Sequence, residues 1–176
     1  MSPMDISIIS EESIKVRGKA GSFIIDPSDS MPKTNADGIL FQNPQSRAGI
    51  SRVLDSRIIV CGPGDYEVSG IKVMGLKGKE NLLYRIIVDG VVVLLAKSSE
   101  ITNDDKINSC DILLLNVDSD FAESLVATVD PKVAILYGKS LKEALKLLGK
   151  EILAPVKKFA TTKDKLPVEM EVVALG

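Results

Sequence analysis

Two stretches, Asp111-Ile112-Leu113-Leu114-Leu115-Asn116 and Pro131-Lys132-Val133-Ala134-Ile135-Leu136, decide how this chain is read. Ile112–Asn116 and Val133–Leu136 are continuous apolar runs, not alternating ones, which is the pattern of strands covered on both faces. Between them a helix fits. Asp118 or Ser119 can cap its start, Phe121, Leu125 and Val129 recur along one face, and Pro131 ends it. A second helix starts at Ser140, with Glu143 three residues on as a capping box. Its apolar face is Leu141, Ala144, Leu145 and Leu148, and Gly149 suits the C′ position. The last third of the chain therefore alternates strand and helix.

Upstream the apolar runs are short and rich in Ile and Val, which favours strands. They are Ile6–Ser10, Ile14–Arg17, Ser22–Ile25, Gly38–Phe41, Ile58–Val60, Tyr66–Val68, Ile71–Leu76, Leu82–Val88 and Val91–Ala96, with Glu171–Leu175 near the end of the chain. Asp89-Gly90 between two β-branched runs predicts a type I′ hairpin turn. Arg17-Gly18-Lys19-Ala20-Gly21 and Ser69-Gly70 read as further hairpin connections. Weaker helical patterns cover Arg47–Leu54 and Asn103–Asn108, with Asp104-Asp105 as an exposed helix start. The polar segment Pro27–Asp37 reads as a connection within one domain spanning residues 1–176. These elements predict a layered α/β protein with covered sheets.

Composition narrows the function. The chain has 176 residues, enough to bury roughly 70% of its unfolded surface without disulfides or structural metal. Lys and Arg number 22 against 24 Asp and Glu, a net charge of −2 that argues against non-specific binding to nucleic acid or to an anionic membrane. There is no His, which removes the His zinc ligand, the His general base and every Ser-His or Cys-His pair. Cys61 and Cys110 are too few for a disulfide framework and read as two reduced, buried thiols. Met1–Ser10 lacks the basic and apolar regions of a signal peptide, and Ile86–Ala96 is too short and interrupted to span a bilayer. A cytoplasmic protein is expected.

The order of segments resembles the metallo-β-lactamase superfamily, specifically the small bacterial metal-dependent hydrolases related to the ascorbate-6-phosphate lactonase group. Asp5-Ile6-Ser7-Ile8-Ile9-Ser10 followed by Ser13-Ile14-Lys15-Val16 resembles the family's first two strands around a Gly-His-Ser turn. Ile24-Ile25-Asp26-Pro27 is similar to its third strand and following Asp-Pro, and Ala36-Asp37-Gly38-Ile39-Leu40-Phe41 to the strand entering the metal-binding loop. Gly62-Pro63-Gly64-Asp65-Tyr66-Glu67 resembles a Gly-Pro-Gly-Glu-Tyr-Glu segment, Pro131-Lys132-Val133 the strand that ends in a ligand His, and Leu166–Val173 the tail of one subgroup. The resemblance runs nearly end to end. It implies a short form of the four-layer αββα sandwich.

The departures bear on function. The family binds one or two metals through His-x-His-x-Asp-His after the fourth strand. Those four positions fall on Asn43, Gln45, Arg47 and Ala48. The His after the last core strand falls near Gly138, and the bridging Asp near Ser98, within about two residues. Asn and Gln carbonyls are poor zinc ligands, and Arg47 sets a fixed positive charge where the family sets a cation. The resemblance puts Asp26 behind the ligands, where a buried carboxylate needs a partner. Arg47 either pairs with Asp26 or Glu11, or swings into solvent.

Bland readings stand beside these. Asn43-Pro44-Gln45-Ser46-Arg47 is a remodelled binding loop or a solvated turn; Gly62-Pro63-Gly64 lacks the spacing and Lys of a phosphate-binding loop and reads as a sharp turn. Glu11-Glu12 could do acid–base work, although adjacent turn residues usually point apart. Tyr66, Tyr84 and Tyr137 read as packing residues, and Lys97 and Lys139 as rim residues. The expectation is a metal-free, non-catalytic pseudo-hydrolase with no cofactor. It would serve binding, scaffolding or assembly, with an unknown ligand or protein partner and a homo-oligomer left open. The alternatives are a hydrolase using Glu11, Glu12 and Asp26, with or without Mg²⁺, and a regulatory subunit of an active homologue.

Overall fold

The computed structural model describes residues 2–102, 107, 109–118 and 121–176. Strands β1 (Met4–Ser10), β2 (Ser13–Arg17) and β3 (Ser22–Ile25) run antiparallel as successive neighbours. A short parallel pair, β4 (Thr34–Asn35) and β6 (Val53–Leu54), lies outside the main sheets. β5 (Gly38–Leu40) and β7 (Ile58–Val60) extend the first sheet in parallel beyond β3.

The second sheet starts as an antiparallel meander of β8 (Gly64–Val68), β9 (Ile71–Lys77), β10 (Leu82–Val88) and β11 (Val91–Lys97). It continues in parallel through β12 (Ile112–Asn116) and β13 (Val133–Tyr137), the two runs that opened the reading. β14 (Lys158–Thr161) returns to pair with β1, and β15 (Glu171–Ala174) closes the second sheet beside β13. The sheet orders are β14-β1-β2-β3-β5-β7 and β15-β13-β12-β11-β10-β9-β8.

Period-two alternation sets the layers. Val91, Val93 and Leu95 of β11 face the space between the sheets, as do Ile112, Leu114, Val133 and Ile135, and they meet Ile14, Val16, Phe23, Ile25 and Leu40 from the first sheet. The opposite parity, Leu94, Ala96, Leu113, Leu115, Ala134 and Leu136, packs under α1 (Glu123–Val129) and α2 (Leu141–Leu147) through Val126, Val129, Ala144 and Leu145. Strands buried on both faces therefore read as unbroken apolar runs. Outside the first sheet, Ile24, Ile39 and Phe41 are covered by Met31, Ala36 and Val53. This outer layer is built from loop, the β4–β6 pair and a 3-10 turn, Ile50–Arg52, which is where the sandwich is reduced. Tyr84 ties the two sheets together, its hydroxyl donating to Phe41 O at 2.7 Å.

The hairpin turns form as expected: Asp89 and Gly90 have φ 49 and 79, Ser69 and Gly70 φ 51 and 74, the left-handed pairs that a type I′ turn requires. Three expectations need correction. The Arg47–Leu54 helix is only the 3-10 turn followed by β6. Gly49 has φ 67 and its N–H donates to Asp29 Oδ1 at 2.9 Å, which turns the chain away from a helical path. α1 starts at Glu123 after Ala122 with no side-chain cap, because the Asp118 carboxylate is taken by Ser98 and Ser99. Ser140 precedes α2 without a cap bond; its ψ of 25° lies outside the extended conformation from which a hydroxyl reaches forward. Gly149, at φ 66, sits in the left-handed conformation expected after a helix. The Asn103–Asn108 helix and its Asp104-Asp105 start lie outside the described residues, Ile107 apart, and so does Ser119. Among the described residues no helix is long and apolar enough to cross a membrane.

Candidate functional site

β3, β5, β11, β12 and β13 all finish at one end of the sandwich. There the inward parity of the strands continues one step past the last apolar side chain. On the second sheet the next inward residues are Lys97, Asn116 and Tyr137, which stand in one row because Lys97 pairs with Asn116 and Asn116 with Tyr137. On the first sheet the residue two beyond Leu40 is Gln42, and Asp26 follows Ile25. Gln42 and Tyr137 are fully buried and Asn116 nearly so, while Asp26 and Lys97 are half-buried. Apolar layers thus end in a polar one.

Asp26 is the hub of this layer. Its Oδ1 accepts the Gln42 backbone N–H at 2.9 Å and its Oδ2 accepts Gln42 Nε2 at 2.7 Å. Its own N–H donates to Leu40 O, and its carbonyl accepts the Ser13 hydroxyl at 2.8 Å. Asp26 has φ 46, a left-handed conformation that aspartate tolerates better than most residues. Burial pushes its carboxyl above the usual range; the bonds from Gln42 and the charge of Lys97 oppose that shift, and Glu12 adds to it. Burial likewise raises the Tyr137 hydroxyl well above its ordinary value, reinforced by the negative charges of Asp26 and Glu12. Gln42 Oε1 and Tyr137 Oη are buried without a hydrogen-bond partner of good geometry.

The positions that the resemblance assigns to metal ligands do not converge. Asn43, Gln45, Arg47 and Ala48 are all exposed. Asn43 Oδ1 accepts Gln45 N–H at 2.9 Å and Asn43 O accepts Ser46 N–H at 3.0 Å, so the loop is closed on itself. Arg47 Nη1 donates to Pro44 O at 2.9 Å and Ser46 O at 2.5 Å. Of the two outcomes left open for Arg47, the structure shows the exposed one: the guanidinium serves its own loop, and Asp26 is bonded by Gln42. Ser98 is buried and its hydroxyl donates to Asp118 Oδ1 at 2.5 Å. Gly138, at φ 107, would bring an added Cβ within 2.4 Å of Asn116 Oδ1.

Glu11 (φ 41) is exposed at the β1–β2 turn and Glu12 is half-buried beside it. Together with Gly138, Lys139, Ile8 and Leu141 they line a groove of about 540 Å³ at the same end. Both cysteines are unpaired; Cys110 is buried and its thiol is pushed up to about 11 by that burial, whereas Cys61 is only half-buried. Among the described residues no three His, Cys, Asp or Glu side chains are grouped to hold a metal ion. The donor set offered at this end, two exposed carboxamides, a guanidinium, a methyl group and a glycine with no room for a side chain, does not fit a transition metal.

Gln42 and Asn116 were missed by the sequence reading, and Lys97 and Tyr137 were assigned to rim and packing. The signal that finds them is strand parity, carried one step past Leu40, Leu95, Leu114 and Ile135.

Solved structures place this architecture. A protein from Thermotoga maritima, described as a zinc-dependent hydrolase of the metallo-β-lactamase superfamily, matches with a TM-score of 0.73 at 20% identity over 98% of each chain. A diphosphatase of the PhnP family matches with a TM-score of 0.58 at 13% identity, over 93% of this chain and 81% of that one. A metallo-hydrolase from the archaeon Ignicoccus hospitalis also gives 0.58, at 10% identity over 99% of this chain and 97% of that one. No family model and no curated protein matches the sequence. Identities this low carry a fold and not an activity. Two mixed sheets face to face, with the polar layer where their strands end, give this chain the fold of the metallo-β-lactamase superfamily.

Proposed function

We propose that residues 1–176 form one domain, a cytoplasmic, non-catalytic protein of this fold, serving a binding, scaffolding or assembly role without a bound metal. The observation that carries this reading is the fate of Asp26. Both of its oxygens accept from Gln42, one from the backbone N–H and one from the side-chain amide, so the carboxylate anchors the start of the 43–48 loop. The loop then turns outward and satisfies its own polar groups. A His at position 138 would need both a strained backbone and a displaced Asn116. On this reading Glu11, Asp26, Asn43, Gln45, Arg47, Ala48, Ser98 and Gly138 mark where a catalytic centre stood, and the groove beside Glu12 and Lys139 is the surface left for a ligand or partner.

The test is direct. Untagged protein is assayed against phosphodiester, lactone and thioester substrates after incubation with Zn²⁺, Mn²⁺, Fe²⁺ or Mg²⁺, and its metal content is measured. We expect substoichiometric metal and no turnover above a protein-free control. Turnover that co-purifies with the chain and is lost on chelation would overturn the reading.

A further inference from the structure

The polar layer contains a carboxylate, Asp26, that makes no ion pair among the described residues. Its two hydrogen-bond donors, the Gln42 N–H and Nε2, are neutral. A carboxylate partly withdrawn from water stays ionised only where a counter-charge or donors offset its burial. In metal-bearing proteins a cation in the cleft can supply that charge, and the donors present at this end do not fit one.

Arg47 is exposed and bonded to its own loop. Lys139 is exposed on the groove rim. Lys97 alone among these three lies on the inward row: it follows Leu95 by two residues on β11 and pairs in register with the buried Asn116, itself in register with the buried Tyr137. Alternation therefore sends its stem between the sheets, toward the layer in which Asp26 and Gln42 lie. A long aliphatic stem with a charged tip is suited to this, since it packs on apolar neighbours and delivers charge at the edge of a core. The other titratable groups acting on Asp26 or on its layer are Glu12, which repels it, and the hydroxyls of Tyr137 and Tyr84.

We propose that the Lys97 ammonium is the counter-charge of Asp26 across the two sheets, so that this chain carries on its own side chain the positive charge that a metal would supply. The pairing acts through space and not as a contact ion pair. It rests on the metal-free reading of the site and specifies how that site is held together.

The experiment is a double-mutant cycle of Lys97→Met and Asp26→Asn by denaturant unfolding, together with an NMR pH titration of the Asp26 carboxyl carbon in wild type and Lys97→Met. Loss of Lys97 should raise the Asp26 midpoint by about 1 pH unit. It should also lower the folding equilibrium constant at least about fivefold more in wild type than in the Asp26→Asn background. Lys97→Arg, which keeps the charge, should leave the midpoint within about 0.3 unit of wild type and serves as the readout if the Met variant does not fold, with Lys97→Gln as its neutral counterpart. Additive effects in the cycle, or an unmoved Asp26 midpoint in both neutral variants, would overturn the pairing. Neither measurement involves turnover, so metal-dependent hydrolysis would defeat the proposed function separately.

Discussion

Restoring one family ligand tests the reading of the site where it is most exposed to refutation. Gly138→His puts an imidazole at the end of β13, where the resemblance expects it. The backbone there has φ 107, which L side chains rarely adopt, at a cost of roughly 1–3 kcal/mol. A Cβ would also stand 2.4 Å from Asn116 Oδ1 and 3.0 Å from Val117 O. Asn116 is 3% exposed and cannot swing into solvent without opening the layer, so relieving the overlap should cost about 1–3 kcal/mol more. The combined loss of about 2–6 kcal/mol is a large share of the roughly 5–15 kcal/mol that stabilises a domain. Gly138→Ala should account for most of it, since the backbone and the Cβ contact carry the cost and not the ring. Zinc should not recover the loss, because Asn43, Gln45, Arg47 and Ala48 offer no converging donors. Urea unfolding of both variants, with and without Zn²⁺, makes the measurement. A change below about 0.5 kcal/mol, or a zinc-dependent rescue, would refute the claim that this position has been remodelled against a ligand.

Other outcomes follow from the same geometry. Arg47→Ala should change stability by less than about 0.5 kcal/mol, as its guanidinium bonds only exposed loop carbonyls; a loss of 3 kcal/mol or so would mean a buried partner after all. Glu100 is buried, and its carboxylate accepts the backbone N–H groups of Lys79, Glu80 and Asn81 and the Asn81 amide, so Glu100→Gln should cost about 2–3 kcal/mol at neutral pH. Burial alone would raise the Glu100 carboxyl, but those bonds outweigh it and hold the group below its usual range. Its contribution is thus complete above the unfolded carboxylate pKa and is lost as pH falls through the depressed folded value. The gap between wild type and Glu100→Gln should narrow in acid, and a gap that widened would reverse the assignment. Tyr137→Phe should be neutral or stabilising by about 1 kcal/mol, because the hydroxyl is buried without a well-formed bond; a clear loss would show that it bonds Gln42 Oε1 or Asn116 in solution. Thermal melts with and without a chelator should coincide, and a chelator-dependent fall in Tm would count against a metal-free core.

Much of the fold was legible because its signals are local. Asp89-Gly90 and Ser69-Gly70 carry their own turn geometry, and residues 112–115 and 133–136 announce double-sided burial by lacking polar residues. β14 was missed because Lys158-Phe159-Ala160-Thr161 is an edge strand whose pairing with β1 is set by a contact more than 150 residues away in sequence. β4 and β6 are two residues each and owe their existence to each other, not to any propensity. The Arg47–Leu54 pattern looked helical, but the left-handed Gly49 and its bond to Asp29 outweighed periodicity. At the site the reading singled out Asp26, which the structure places at the centre of the polar layer. It left open whether Arg47 pairs with Asp26 or turns to solvent; Arg47 is exposed, and Gln42, which the reading did not name, holds Asp26 through one backbone and one side-chain bond that only the strand register reveals.

That partner bears on how the strand ends of this fold are held together. The apolar core between the sheets runs from Met4 and Ile6 through Leu95 and Ile135, and the layer under the helices is separate from it. Tyr137 belongs to both the core between the sheets and the polar layer at its end. The site end itself is where strand ends leave polar groups to satisfy. Here the Gln42 amide and the Ser13 hydroxyl satisfy Asp26. Gln42 serves the role twice, because its backbone closes the turn onto Asp26 while its side chain fills the same carboxylate. A Thr or Ser at position 42 could supply the backbone bond alone and would leave Asp26 Oδ2 without a donor. The long carboxamide at that position therefore matters as much to the metal-free reading as the absence of His from the loop that follows it.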